Sequence, residues 1–316
     1  MQKIDEVLKD VKSVAMSGHI RPDGDAIGSA LAVYNYIKDN YPQIKADVYM
    51  DEIPPVYDFM HRAGEIKNDR PDGLKYDLFI ALDCGDLNRL GQSAKYFESA
   101  QKTLCIDHHI SNKNFAQINY IYPDASSACQ LVYKVLDEDK VTKEIAECLY
   151  TGMVTDSGIF QYSSTTSETM NIAGKLMDTG IDFNAIVDRV WNLKTYAQNR
   201  VLGKCLSDSR LYLDGRLIVS YITAEEMKKY GVTHQDFEGI SSSLINTEGV
   251  KVAAFLNEME DGSFKISLRS NGANVAEIAA LYGGGGHVRA AGASAFGRIE
   301  DIVENLVKNT EKVLDV

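Results

Sequence analysis

The stretch YDLFIALDCGDLNRLGQSAKYFESAQKTLCIDHH, residues 76–109, holds two short apolar runs that each end abruptly in a polar cluster. YDLFIALD (76–83) and KTLCID (102–107) are strand-sized, and DCGD and DHH close them. Toward the N-terminus, SVAMS (13–17) and ADVYM (46–50) read as two more strands. Between them lies AIGSALAVYNYIKDNY (26–41), with apolar residues at helical spacing. QINYI (117–121) is a fifth strand candidate, and helical patterning resumes at 126–139 and 143–155. Strands alternating with helices predict an α/β fold, with an N-terminal, mostly parallel sheet flanked by helices. Such sheets bind ligands at the carboxyl ends of their strands. Three of these strands run into SGHIRPDGD, DCGD and DHH, so a site is expected along that rim.

Residues 182–212 change to helical patterning without strand-like runs, and the later part reads as a helical linker. Beyond Gly215, RLIVSYI (216–222), VKVAAFLNEM (250–259) and FKISLRS (264–270) are strand-like, and NVAEIAALYG (274–283) is helical. A glycine run (283–286) and an amphipathic helix at 299–314 complete a smaller C-terminal α/β domain. The expected division is 1–190 for the N-terminal domain, 191–212 for the linker and 213–316 for the C-terminal domain.

The 316 residues are 45% hydrophobic and 25% charged, the balance of a globular protein. No apolar run approaches a membrane span, and the first eighteen residues lack the apolar core of a signal peptide, so a soluble, cytoplasmic protein is expected. Five scattered cysteines without a C-x-x-C pair argue against a disulfide framework and a structural zinc site. The net charge of −12, with no basic stripe, argues against a long nucleic-acid tract. A small phosphorylated substrate, gripped by local cations and metals, remains compatible.

Four clusters carry the chemistry. His19, Asp23 and Asp25 lie within seven residues, just past a strand and before a helix; carboxylates suit hard divalent ions, and an imidazole tilts the preference toward manganese. Taken alone, the cluster also fits, though less well, a polar turn with Asp25 capping the helix. Asp83 ends a wholly apolar strand, where a carboxylate is costly unless it meets a cation or several donors. Asp107, His108 and His109 follow another such strand. Asp156, in TGMVTDSGIFQY, interrupts an apolar helical segment. Together these supply enough carboxylate charge for two divalent ions, the arrangement used for in-line attack on phosphorus. In the C-terminal half, Arg269 and Ser270 leave a strand, and Gly284, Gly285 and Gly286 lead into His287. Glycines at that spacing allow backbone N–H groups to curl around an anion, with Arg269 and His287 gripping a phosphate.

In this order the motifs HIRPDGDAIGS, ALDCGD, IDHH, VTDSG and GGGGHVRAAG resemble those of the DHH phosphoesterase family and its associated C-terminal domain. The likeness spans nearly the whole chain, and its layout is most similar to the bifunctional oligoribonucleases and pAp phosphatases. The resemblance implies one metal on His19, Asp23 and Asp83 and another on Asp25, Asp83, His108 and Asp156, with Asp83 bridging. It implies that His109 faces the substrate phosphate, instead of or in addition to the metals, and that Arg269, Ser270 and His287 bind the substrate from the second domain. Two domains joined by a helical linker also suggest a hinge that closes Arg269 and His287 over the metals. Manganese is the expected metal, with magnesium or cobalt as alternatives. The expected partners are short RNA oligonucleotides and 3′-phosphoadenosine 5′-phosphate (pAp), not a membrane; a homodimer stays open. Competing readings are a cyclic-di-AMP or pApA phosphodiesterase, a manganese pyrophosphatase, and a non-catalytic nucleotide sensor.

Overall fold

The computed structural model describes residues 1–314 and divides into two compact units, Met1–Leu193 and Lys194–Val316. In the first, β1 (Ser13–Ser17), β2 (Lys45–Val48), β3 (Leu78–Leu82), β4 (Lys102–Asp107) and β5 (Ile118–Ile121) form one sheet in the order β2-β1-β3-β4-β5. Every pairing in it is parallel. The helices of this unit are α1 (Ile4–Val7), α2 (Gly24–Asn40), α3 (Ala94–Ser99), α4 (Ala128–Val135), α5 (Lys143–Asp156), α6 (Ser167–Asp178) and α7 (Phe183–Val187).

Side-chain alternation explains why both faces of this sheet are covered. Val14, Met16, Leu78, Ile80, Leu104 and Ile106 enter one core with residues of α2, α4 and α5. Their neighbours Ala15, Phe79, Ala81 and Cys105 enter another with Tyr49, Tyr76, Tyr96 and Phe97. Close packing under the strand ends depends on glycine. A Cβ at Gly152 of α5 would lie 2.3 Å from Cys129 Sγ and 2.8 Å from Asp25 Oδ1, so only glycine lets the three helices meet there.

The second unit contains α8 (Tyr196–Ser207), β6 (Arg210–Tyr212), β7 (Leu217–Ile222), α9 (Ala224–Tyr230), α10 (Ile240–Ile245) and β8 (Val252–Glu258). It continues with β9 (Ser263–Ser270), α11 (Val275–Ala280), β10 (Gly285–His287), β11 (Ala290–Phe296) and α12 (Ile299–Leu314). The strands form a mixed sheet in the order β10-β11-β9-β8-β7-β6, parallel only between β7 and β8. Two expectations need correction. Residues 210–212, read as part of a helical stretch, form the edge strand β6; three residues are too few to show a period. α8 packs into unit 2 through buried Val201 and Cys205, which touch the core around Ile218 and Phe255. No helix among the described residues is long and apolar enough to cross a membrane.

Candidate metal centre

The order of the parallel sheet reverses between β1 and β3, and at such a point flanking connections leave a crevice at the strand ends. His19 lies just past β1, Asp83 just past β3, and His108 and His109 just past β4. Asp83 is 2% exposed and adopts a φ of +50°, a conformation that aspartate tolerates better than most residues. Its N–H donates to Ile106 O at 3.0 Å, which locks the strand end. Asp23 is the N-cap of α2: its Oδ1 accepts from Asp25 N and Ala26 N, both at 3.1 Å. Capping therefore falls to Asp23, not Asp25, and it leaves Asp23 Oδ2 3.5 Å from His19 Nε2. Asp25 is buried, accepting from Ala128 N at 2.6 Å and Cys129 N at 2.9 Å. Asp156 is the last residue of α5.

These side chains converge as overlapping donor groups. His19, Asp23 and Asp83 offer atoms all within 4.8 Å of one another, as do Asp25, His108 and Asp156, and Asp83, His108 and His109. His108 Nε2 lies 3.3 Å from Asp156 Oδ2, 3.5 Å from Asp83 Oδ1 and 3.8 Å from Asp25 Oδ2. The other ring nitrogen of each imidazole is occupied. His19 Nδ1 meets Ile20 O at 2.8 Å, and His108 Nδ1 meets Ala125 O at 3.2 Å. A backbone carbonyl on Nδ1 fixes the tautomer in which Nε2 presents its lone pair, the usual setting of a metal-bound histidine.

Two tests on the donors favour a divalent pair. Asp83 Oδ1 is buried with no hydrogen-bond partner, a costly state for a carboxylate oxygen unless a cation faces it. The charges are also mutually strained. Burial, then the Asp83 and Asp156 charges, push the Asp25 carboxyl well above its ordinary range. Burial, opposed by His108 and aided by Asp83, lifts Asp156 to about 6. Burial disfavours the charged imidazoles, but Asp23 and Asp83 hold His19 up at about 10, and Asp83, Asp25 and Asp156 do the same for His108. Such a set calls for positive charge at its centre.

His109 is built differently. Its Nδ1 lies 2.7 Å from Asp107 Oδ1, while Asp107 Oδ2 accepts from Asn112 Nδ2 at 2.7 Å. Asn112 Nδ2 also reaches Cys84 O at 3.1 Å, tying the loop after β4 to the loop after β3. Asp107 holds the His109 charge up, against the effect of burial. Asp107 and Asn112 thus position His109, a role that their residue types alone do not announce. The available signal was an aspartate closing the apolar run KTLCID, with an amide five residues on.

In unit 2, Arg269 on β9 stands opposite Ala290 on β11, which stands opposite His287 on β10. Residues paired across strands share a face, so Arg269 and His287 lie in one row. Ser270 does not join them: strand alternation turns it to the other face, where its hydroxyl donates to Ala273 O. The backbone of the glycine run is engaged within the unit. Gly283 N and Gly284 N donate to Ala280 O and Ala279 O, closing the end of α11, while Gly285 and Gly286 form β10. A Cβ at Gly286 would lie 2.5 Å from Ala290 O, so this tight hairpin requires the glycine.

Imidazoles and carboxylates grouped around one shared aspartate at the switch point of a parallel sheet are the kind of donor set that metal-dependent phosphoesterases use. Comparison with known proteins agrees. Residues 13–153 match the DHH family N-terminal domain, and residues 214–314 match the DHHA1 domain. The chain is 30% identical to the bifunctional oligoribonuclease and PAP phosphatase NrnA of Thermus thermophilus, covering 94% of this chain and 89% of that protein. It is 26% identical to the Bacillus subtilis protein of the same description, over 95% and 96%. A crystal structure of an exopolyphosphatase-related protein from Bacteroides fragilis is 29% identical, with a TM-score of 0.87 over 98% of this chain and 94% of the other. The chain belongs to the DHH family of phosphoesterases.

Proposed function

We propose that the chain is a manganese-dependent phosphohydrolase that shortens RNA oligonucleotides of a few residues to mononucleotides and converts pAp to AMP. The observation that carries the chemistry is Asp83, whose two oxygens face separate imidazole-containing groups. The substrate choice is supported by the relatives named above, which match this chain over nearly its whole length.

His19, Asp23 and Asp83 would hold one metal, and Asp25, Asp83, His108 and Asp156 the other. When bound, two such ions supply an activated water and neutralise charge building on a phosphoryl group. The chain's own residues do the rest. Asp83 fixes the spacing between the two groups, and Ala125 O and Ile20 O aim the imidazoles. Asp107 pins His109 Nδ1, which leaves Nε2 to meet a substrate oxygen as a hydrogen-bond or proton donor. Arg269 and His287, on one open face of the second unit, bind a substrate phosphate by charge-assisted hydrogen bonds. The cytoplasm is the compartment that suits five free, buried thiols.

One panel tests this reading: release of product from pAp, pApA, cyclic di-AMP, pyrophosphate, a short RNA and a long RNA, each with manganese and again with chelator. pAp and short RNA should turn over fastest, and only with manganese. Faster turnover of pyrophosphate or of the long RNA would overturn the proposal.

A further inference from the structure

In unit 1 the chain beyond α5 turns back on itself beside the metal centre. α5 ends at Asp156, and five residues, Ser157 to Gln161, carry the chain on to Tyr162. Three of them are left-handed in succession: Gly158 at φ +58°, Ile159 at +54° and Phe160 at +61°. A β-branched residue such as Ile159 rarely adopts that conformation, and it persists only where the surroundings over-determine it. Here they do. Ile159 N donates to Val154 O at 2.9 Å, Phe160 N to Ser157 Oγ at 2.9 Å, and Gln161 N and Tyr162 N both to Ser157 O at 3.0 Å. Ile159 and Phe160 pack against the core, where the Phe160 ring lies 6.0 Å from that of Tyr150.

What the turn delivers is Tyr162. Its ring folds back over Gly158: a Cβ there would lie 2.5 Å from Tyr162 Cζ, 2.6 Å from Cε1 and 2.8 Å from Cε2. One side of the ring thus rests on bare glycine backbone, and the side chain is 55% exposed. Gly158 follows Asp156 by two residues, so the support of the ring lies roughly 7 Å at most from the Asp156 Cα. Among the described residues the ring pairs with no other aromatic, and its hydroxyl has no hydrogen-bond partner. Burial does not hold Tyr162 in place; the backbone does. An exposed ring on a fixed backbone, with a free outer face, is a contact organised before its partner arrives.

We propose, resting on the nucleotide reading above, that Tyr162 is the platform on which a substrate nucleobase stacks while the phosphate meets the metal centre. Phosphate and ribose are polar, so the base is the part of a nucleotide that an exposed ring can take out of water. Every base presents a π-face, so such a platform accepts all of them. Inorganic pyrophosphate offers no such face. Tyr162 therefore separates nucleotides from inorganic phosphate chains at a centre whose charges alone would treat them alike. Ser157 and Gly158 act through Tyr162, as positioning residues: one holds its backbone and the other makes room for its ring.

The test compares kcat/KM on pAp with kcat/KM on its abasic analogue, in which hydrogen replaces adenine. Both are measured in manganese for the wild-type chain, Tyr162→Ala and Tyr162→Phe, with thermal melts and metal analysis of each variant. Stacking of one base predicts that Tyr162→Ala lowers kcat/KM on pAp about tenfold, mainly through KM, and leaves the analogue within about twofold of wild type. Tyr162→Phe keeps the ring and should match wild type on both substrates. An unchanged pAp-to-analogue ratio in Tyr162→Ala overturns the platform, whether both rates hold or both fall; a common fall with lost metal would make the ring a prop for Asp156. A wild-type chain that hydrolyses pyrophosphate but leaves pAp uncut overturns the nucleotide reading and the platform with it.

Discussion

The two carboxylate oxygens of Asp83 are divided between two imidazoles: Oδ2 lies 3.4 Å from His19 Nε2, and Oδ1 lies 3.5 Å from His108 Nε2. Among the described residues, Asp83 is the one carboxylate paired with both rings, so the two halves of the centre meet at it. Asp83→Asn keeps the shape and removes the shared charge. Turnover should fall about a thousandfold or more, because each ion supplies several kcal/mol of transition-state stabilisation. Metal analysis of the purified variant should find fewer than two ions per chain; retention of both would refute the bridging role.

Asp107 touches His109 Nδ1 and none of His19, Asp23, Asp25, His108 or Asp156, so its loss should separate positioning from binding at those residues. Asp107→Asn leaves a neutral partner for His109 Nδ1 and loosens Asn112, which spans the loops after β3 and β4. Partners of this kind typically contribute 10–100-fold to activity, and kcat should drop by about that factor. Metal content should stay at the wild-type level, and the pH profile of kcat should shift. An unchanged profile with unchanged kcat would show that Asp107 is only a buried cap.

The sheet of unit 1 was legible because its strands are apolar on both faces and stop at charged residues: β1 and β4 end where the hydrophobic pattern ends. Asp83, His108 and His109 stood out for the same reason, since a charge at the end of a buried strand has few other uses, whereas Asp23, Asp25 and Asp156 lie at helix ends and stood out only as carboxylates in or beside apolar helical stretches. Less legible were the features that depend on pairing. β6 and β10 are three residues each, too short for any period, and the glycine run resembles a loop until β11 is seen against it. That Ser270 turns away from Arg269 follows from alternation on β9 and was readable in principle. The carbonyls of Ile20 and Ala125 and the N–H groups of Ala128 and Cys129 were not readable, because backbone groups leave no trace in residue type.

The elevated His19 and His108 have a consequence for pH. Both are held at about 10 in the metal-free chain, against an ordinary value of 6.5. A folded-state value above the unfolded one stabilises fully below 6.5, and that contribution is lost as pH rises through about 10. Asp156, raised to about 6, acts in the same direction at lower pH. Asp83, held below its ordinary range, acts in the opposite direction, but only in acid. Coordination requires unprotonated rings, so manganese binding should release protons and tighten with pH. The difference in Tm between manganese-loaded and chelator-stripped chain should therefore widen from pH 6.5 to about 8.5. A constant difference, with no proton release by calorimetry in two buffers, would show that the imidazoles are not ligands.

Gly152 ties packing to chemistry most directly. It lies on α5 one turn before Asp156, and a Cβ there would meet Cys129 Sγ at 2.3 Å, Asp25 Oδ1 at 2.8 Å and Asp25 Cα at 3.0 Å. The sulfur cannot retreat freely, since Cys129 is wholly buried beneath α2. Gly152→Ala should therefore cost about 1–3 kcal/mol of stability as overpacking, a loss of roughly 2–10 °C in Tm for a unit of this size. Its effect on function should exceed that loss. Displacing Asp25 from Ala128 N and Cys129 N moves a carboxylate that faces His108, so the variant should bind metal more weakly at temperatures where it is fully folded. Gly174→Ala, with open space around its Cβ and a place on α6, serves as the control and should leave both Tm and metal affinity at or above wild type. Equal metal affinity in the two variants would detach the helix crossing from the site it supports.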